Sequence, residues 1–375
     1  TIAFERTQEN DVLVIGSADA DQLSVYAAES QPTVPETTLP PGALSRQPRA
    51  ATTMAPTPTV ASSKAPTPTF VSEASTLRPE APAYQSLAPT VKPSLLIPFK
   101  DTFSVTGGPF RIGQSGTGFG SAVAVSKNRM AIGARNGNNL GIVLTFERAN
   151  DGSWRTSPSQ QLVGEETGGG FGATLAMTDD LLLVGAPNVF AENTATPAGA
   201  AYCYTRSTDG SWIQSGSTIR GITGVFAFNE KFGSAVAVSS AMRRIVIGAH
   251  GSSADFIFRR GRVYVYDFDQ ETADWTRTAE LLGASSDEAL GSAVDISPSG
   301  TFVIAGSPSI GAGFATIYRH NPFGWVSIAT ISGSKDGEKM GASVAFLSDK
   351  FVAAGAPSYD SGRGRVLVFE RDDAS

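Results

Sequence analysis

Cysteine is nearly missing from these 375 residues: Cys203 stands alone. A single thiol builds no intramolecular disulfide framework and leaves the redox compartment open. Histidine is almost as scarce, with only His250 and His320. Two isolated histidines and one strand-like cysteine supply neither a catalytic triad nor metal-ligand spacing. On these residues the chain reads as non-enzymatic, with no cofactor and no metal. Basic residues are outnumbered, 29 Lys and Arg against 35 Asp and Glu, for a net charge of −6. That balance argues against a nucleic-acid partner, which calls for a basic face. No apolar run approaches the ~18 residues of a membrane-spanning segment. Helical periodicity between the apolar runs is also absent, which excludes a doubly wound α/β fold.

What the chain does have is repetition. The stretch "FGSAVAVSKNRMAIGAR" from Phe119 returns as "FGATLAMTDDLLLVGAPN" from Phe171 and "FGSAVAVSSAMRRIVIGAHG" from Phe232. It returns again as "LGSAVDISPSGTFVIAGSPS" from Leu290 and "MGASVAFLSDKFVAAGAPS" from Met340. The starts are 52, 61, 58 and 50 residues apart, a period that marks a repeat architecture.

Each repeat divides into four strand-sized pieces. In the copy from Leu290, "GSAVDIS" is small and apolar, as an inner strand near a crowded axis must be. Pro298-Ser299-Gly300 turns the chain into "TFVIAGS", a continuous apolar run that suits a strand buried on both faces. "FATIYRH" and "GWVSIATISG" follow as third and fourth strands. All four tryptophans, Trp154, Trp212, Trp275 and Trp325, fall just after the turn between third and fourth strands. There a large aromatic can cover the sheet and pack toward its neighbour. Four-stranded antiparallel units at this period are blades, so the predicted fold is an all-β β-propeller with five visible repeats and a partial N-terminal one.

The Phe-Gly openings and the Gly-Ala-Pro endings (Gly185-Ala186-Pro187 and Gly355-Ala356-Pro357) resemble the FG-GAP repeat of integrin α-chain propellers. Gly133-Ala134, Gly248-Ala249 and Gly306-Ser307-Pro308 are weaker copies. The resemblance spans residues 119–375 and implies an extracellular or cell-surface propeller used in adhesion or ligand binding. Members of that family often carry an Asp-rich calcium cage between the first two strands. Here those turns read "SKN", "TDD", "SSAMRR", "SPSG" and "SDK", too poor in carboxylates for such a site.

The ends carry a partial copy. "TIAFERTQENDVLVIGSADADQLSVYAAES" aligns with the last repeat, and both stop before a fourth strand. "SLLIPFKDTFSVTGG", residues 94–108, reads as a lone fourth strand. Between them, residues 31–94 hold 13 of the 22 prolines and one of the 40 glycines, a composition that builds no packed core. The expected organisation is therefore residues 1–30 ending a preceding propeller, 31–94 a Pro/Thr/Ser-rich disordered linker, and 95–375 a second propeller. The rival is one larger ring with the linker inserted in a blade, or a truncated ring.

Two loop types should share one end of the propeller. The fourth-to-first loops carry Glu165-Glu166, Glu230, Asp287-Glu288, Asp336 and Glu338, which read as solvated carboxylates. The second-to-third loops carry Phe190, Phe256, Phe258, Arg259, Arg260 and Tyr359, the aromatic and Arg types that anchor interfaces. These six are the candidate ligand-binding residues, for a protein or glycan partner. The alternative is a non-catalytic accessory propeller of a larger secreted hydrolytic enzyme.

Overall fold

The computed structural model describes residues 2–6, 11–17, 22–27, 104–111, 116–191, 196–222 and 229–372, with backbone alone for the first three segments and for 104–107. The expected linker at 31–94 lies outside the described residues. The chain is an all-β propeller of antiparallel blades with almost no helix.

The first blade contains β1 (Ile2–Arg6), β2 (Asp11–Ser17), β3 (Gln22–Ala27) and β4 (Ser104–Phe110). The second contains β5 (Phe119–Ser126), β6 (Arg129–Ala134), β7 (Ile142–Glu147) and β8 (Gln160–Val163). The third has β9 (Thr174–Met177), β10 (Leu181–Ala186) and β11 (Ala200–Arg206). Its outer strand is broken into β12 (Trp212–Gln214) and β13 (Ile219–Arg220), both paired with β11. The fourth has β14 (Ala235–Ser239), β15 (Arg244–Ala249), β16 (Arg262–Asp269) and β17 (Asp274–Leu282). The fifth has β18 (Ala293–Ile296), β19 (Phe302–Ser307), β20 (Phe314–Asn321) and β21 (Gly324–Ser332). A sixth sheet has three strands, β22 (Ser343–Phe346), β23 (Phe351–Ala356) and β24 (Arg365–Glu370).

One expectation needs correcting. Residues 1–30 do not end a separate propeller, because β3 pairs antiparallel with β4 and completes a single sheet. The arrangement is the rival one, with the Pro-rich segment inserted between the third and fourth strands of one blade.

Inner strands neighbour one another in chain order, β5 beside β9, β9 beside β14, β14 beside β18 and β18 beside β22. The core therefore lies in the seams between blades. Second strands such as "LLLVGA" in β10 are buried throughout, because their even and odd residues enter different seams. Leu182 and Val184 pack with Phe171 and Tyr202, whereas Leu181 and Leu183 pack with Phe232 and Tyr264. Each such side chain contributes about 1.5–3 kcal/mol of burial.

The closest approach in each seam is backbone on backbone. A Cβ on Gly133, Gly185, Gly248 or Gly306 would collide with the carbonyl of Gly172, Gly233, Gly291 or Gly341 on the next blade. The accepting glycines are the repeat openings, and Gly233 takes φ +83°, which a β-branched residue cannot adopt without strain. One small residue ends each second strand so that one left-handed glycine can sit against it.

Tryptophan closes three of these seams from outside. Trp212 N–H donates to Gln160 Oε1 of the second blade (2.7 Å), and Trp275 Nε1 donates to Ser215 O of the third (3.1 Å). Trp325 lies under the Arg244 guanidinium of the fourth blade.

Candidate functional site

The two loop types do meet, joined by backbone hydrogen bonds. Asp287, Ala289 and Leu290 N–H donate to the carbonyls of Phe258 (2.9 Å), Arg259 (3.0 Å) and Arg260 (3.1 Å). Elsewhere Asn188 N–H donates to Gly169 O, Gly251 N–H to Glu230 O, and Met340 N–H to Ala312 O. One end of the propeller is thus a set of second-to-third loops fastened to the fourth-to-first loops beside them.

The loop from Gly251 to Gly261 exposes two phenylalanines, Phe256 and Phe258. A bridge between Ala254 and Ile257 tightens it into a turn, and Arg259 N–H donates to Ser253 Oγ (2.9 Å). Three of its non-glycine residues hold left-handed backbone: Asp255 (φ +52°), Phe256 (φ +61°) and Arg259 (φ +45°). For bulky L-residues that conformation costs about 1–2 kcal/mol each. At the tip Phe256 is 89% exposed and Phe258 56%. Arg259 is about half exposed and forms a 3.6 Å ion pair with Asp287. A strained, cross-tied turn that holds a phenyl ring in water is built for presentation rather than for packing.

The other candidates divide. Phe190 is 44% exposed, and its N–H is held by Glu166 Oε2 (3.2 Å). Arg260 is not an exposed anchor. Its guanidinium is almost buried, donates to Gly283 O and pairs with Asp255 (2.9 Å), so it braces the loop from beneath. Tyr359 is half-buried, with Arg365 stacked 4.3 Å over its ring. Four of the six candidates, Phe190, Phe256, Phe258 and Arg259, therefore offer surface.

The expected solvated carboxylates need a second correction. Glu230, Glu288 and Glu338 are buried. Tyr264 OH donates to Glu230 Oε1 (2.5 Å). Glu288 accepts Ala284 N–H (2.6 Å) and Ser285 N–H (3.0 Å). Glu338 accepts from Ser334 N–H (2.9 Å) and Arg365 (2.9 Å). Burial pushes the Glu230 carboxyl above the usual range, with the Tyr264 hydrogen bond opposing it. At Glu338 burial is outweighed by the hydrogen bonds from Ser334 and the Arg365 charge, and the carboxyl falls below that range. Each glutamate ties an incoming loop to its own blade. The sequence signal was there: each stands two places before the large apolar residue that opens a repeat.

A polar pair also formed that the sequence did not reveal. Ser234 Oγ and His250 Nδ1 share a 2.9 Å hydrogen bond at the start of β14. Burial, then the charges of Arg259 and Lys231, push the His250 imidazole below its ordinary value, so it is neutral at pH 7. Lys231, three residues before Ser234, donates from Nζ to Asn188 Oδ1 (2.6 Å). His320 instead packs against Trp325, the ring centroids 5.2 Å apart and the planes tilted by 55°.

Among the described residues no group of three His, Cys, Asp or Glu side chains converges as a metal would need. The turn carboxylates serve as clasps between blades. Asp179 takes Ser126 Oγ (2.8 Å) and Lys127, and Asp349 takes Ser299 Oγ (2.6 Å). Cys203 is buried, and burial pushes its thiol well up.

No protein-family model matches this chain, and no curated protein matches it in sequence. Among solved structures it is similar to a putative 6-phosphogluconolactonase from Bacteroides uniformis, at 12% identity and TM-score 0.50, over 73% of this chain and 72% of that one. It is also similar to the periplasmic gluconolactonase PpgL of Pseudomonas aeruginosa, at 14% identity and TM-score 0.45, over 71% and 74%. A functionally unknown protein from Desulfotomaculum acetoxidans aligns at 13% identity and TM-score 0.43, over 72% and 76%. These likenesses concern the fold. They correct the reading of the chain as non-enzymatic: a propeller of this shape is shared with a protein described as a lactonase, so poverty in His and Cys excludes no catalysis here.

Proposed function

We propose that this chain is a binding propeller, acting at a cell surface or outside the cell, that recognises a protein or glycan through its loop-bearing end. One observation carries the reading: Phe256, with φ +61°, stands 89% exposed on a cross-tied turn. The strain is retained at a position that presents a nearly whole phenyl ring to solvent, beside Phe258 and the Arg259 guanidinium. Aromatic and Arg side chains on a rigid support are what dominate binding energy at interfaces. The Phe-Gly and Gly-Ala-Pro resemblance supports the same reading and its location. The test is to screen the purified chain against arrays of glycans and of secreted and cell-surface proteins. Every hit is then repeated with Phe256→Ser and Arg259→Ala. The reading requires a hit that both substitutions weaken at least tenfold.

A second reading rests on Ser234 and His250. A hydroxyl 2.9 Å from a neutral imidazole nitrogen can pass its proton to that base while attacking an ester or lactone carbonyl. Turnover of a δ-lactone or an aryl ester that disappears in Ser234→Ala would favour it.

A further inference from the structure

The entry to the fourth blade differs from the two before it. In every repeat the residue ahead of the opening position holds left-handed backbone. Gly118 (φ +66°) and Gly170 (φ +75°) adopt it freely, but the fourth blade places Lys231 there at φ +60°. The Lys231 ammonium crosses the seam to the third blade and donates to Asn188 Oδ1 (2.6 Å). It has no ion pair among the described residues. Glu230, its neighbour in sequence, is taken up by Tyr264, and Asp287 by Arg259.

Ser234 N–H donates to Lys231 O (3.0 Å), so one turn carries both this ammonium and the hydroxyl that bonds His250 Nδ1 (2.9 Å). Lys231, Asn188, Ser234 and His250 are all half-buried. The charge around them has one sign. Burial, then the Arg259 and Lys231 charges, lower the His250 imidazole, and no carboxylate opposes them. The residue before each repeat opening and the residue after each Gly-Ala or Gly-Ser include Arg135, Lys231, His250 and Lys339 but no acid, in a chain of net charge −6. Positive charge left without a counter-ion on an acidic protein draws an anion to that place.

The charge count sets the kind of anion. Arg259 is answered by Asp287 and His250 is neutral, so the charge of Lys231 alone is left over. One ammonium balances a carboxylate and leaves a dianionic phosphate half-compensated. The Ser234 hydroxyl, the imidazole and the Asn188 amide can each donate and accept, which suits hydroxyl groups beside that carboxylate.

We propose that Lys231, Asn188, Ser234 and His250 form a binding site for a small hydroxycarboxylate, such as a sugar acid. The carboxylate sits on Lys231 Nζ and the hydroxyls address the other three side chains. The site depends neither on recognition by the Phe256 loop nor on turnover at Ser234.

The probe is D-glucuronate, titrated into the whole protein by calorimetry, with D-glucose and inorganic phosphate for comparison. The chain has only two histidines, so imidazole NMR signals locate the ligand at the same time. Saturable binding of glucuronate is expected, at least tenfold tighter than that of glucose or phosphate. It should shift the His250 signals and leave those of His320 in place. Lys231→Gly should weaken binding at least tenfold. That variant keeps the fold, because Gly118 and Gly170 fill the same left-handed place in other blades, and a thermal melt confirms it. Absent binding, equal binding of glucose, tighter binding of phosphate, or undiminished binding by Lys231→Gly overturns the proposal. So does a shift at His320 without one at His250, since the ligand would then lie elsewhere.

Discussion

The hydroxyl of Tyr264, on the third strand of the fourth blade, donates a 2.5 Å hydrogen bond to the carboxyl of Glu230, which is 1% exposed beneath the loop that enters that blade. The pair locks loop to strand at the end of the propeller where the candidate surface lies. Removing one partner strands the other without solvent, at about 1–3 kcal/mol. Glu230→Ala should therefore destabilise by about 2–3 kcal/mol and Tyr264→Phe by about 1–2 kcal/mol. The double variant should cost clearly less than their sum. Urea melts of the three proteins read this directly, and additive losses would show that the two groups do not act as a unit.

Gly233 offers a harsher test of the seams. It has φ +83°, and a Cβ there would strike the Ala200 carbonyl. Gly233→Val is expected to cost several kcal/mol, about 3 or more, by combining a forbidden backbone angle with overpacking. A near-native midpoint for this variant would mean that the blade register is wrong.

Asp295 gives the fold a pH signature. It sits on β18 and accepts the N–H of Phe346 across a seam (2.6 Å) and that of Ile296 (2.9 Å). Burial pushes its carboxyl up to about 6, against the pull of those hydrogen bonds. The unfolded value is about 3.9. Between roughly pH 4 and 6 the native chain thus keeps a proton that the unfolded chain has released. The contribution of Asp295 is full below that window and is lost as pH rises through it. Asp295→Asn, which cannot titrate, should gain on the wild type by about 1–3 kcal/mol between pH 4 and pH 7. A constant difference across that range would contradict the raised value.

The strands and their order were legible because their signals are local. Phe-Gly openings, continuous apolar second strands and the tryptophan after each outer turn all sit within a few residues of what they determine. The buried glutamates were not read, although Glu230, Glu288 and Glu338 recur at one place in the repeat. Their partners lie elsewhere along the chain, as Tyr264 does from Glu230, and loop position alone suggested solvent. Arg260 was misplaced for the same reason: its neighbour Arg259 faces water, while its own guanidinium turns under the loop to Gly283. The pairing of Ser234 with His250 needs two strand ends brought side by side, which no local pattern announces. The first blade shows the same limit on a larger scale, since β4 joins β3 across the whole Pro-rich segment.

Phe256 separates stability from recognition. Replacing it with glycine relieves a left-handed phenylalanine, worth about 1–2 kcal/mol, against an entropy cost of about 0.5–1 kcal/mol for the glycine. Phe256→Gly should therefore melt at or slightly above the wild-type midpoint. A loss of more than about 1 kcal/mol would show that the ring packs after all.

Binding by this same variant is the most direct measurement of the account. Phe323, 99% exposed in the turn between β20 and β21, is the control. A ligand found in the array screen should bind wild type and Phe323→Ser alike and bind Phe256→Gly at least tenfold more weakly, with all three proteins equally stable. Undiminished binding by Phe256→Gly would contradict recognition through the loop-bearing end.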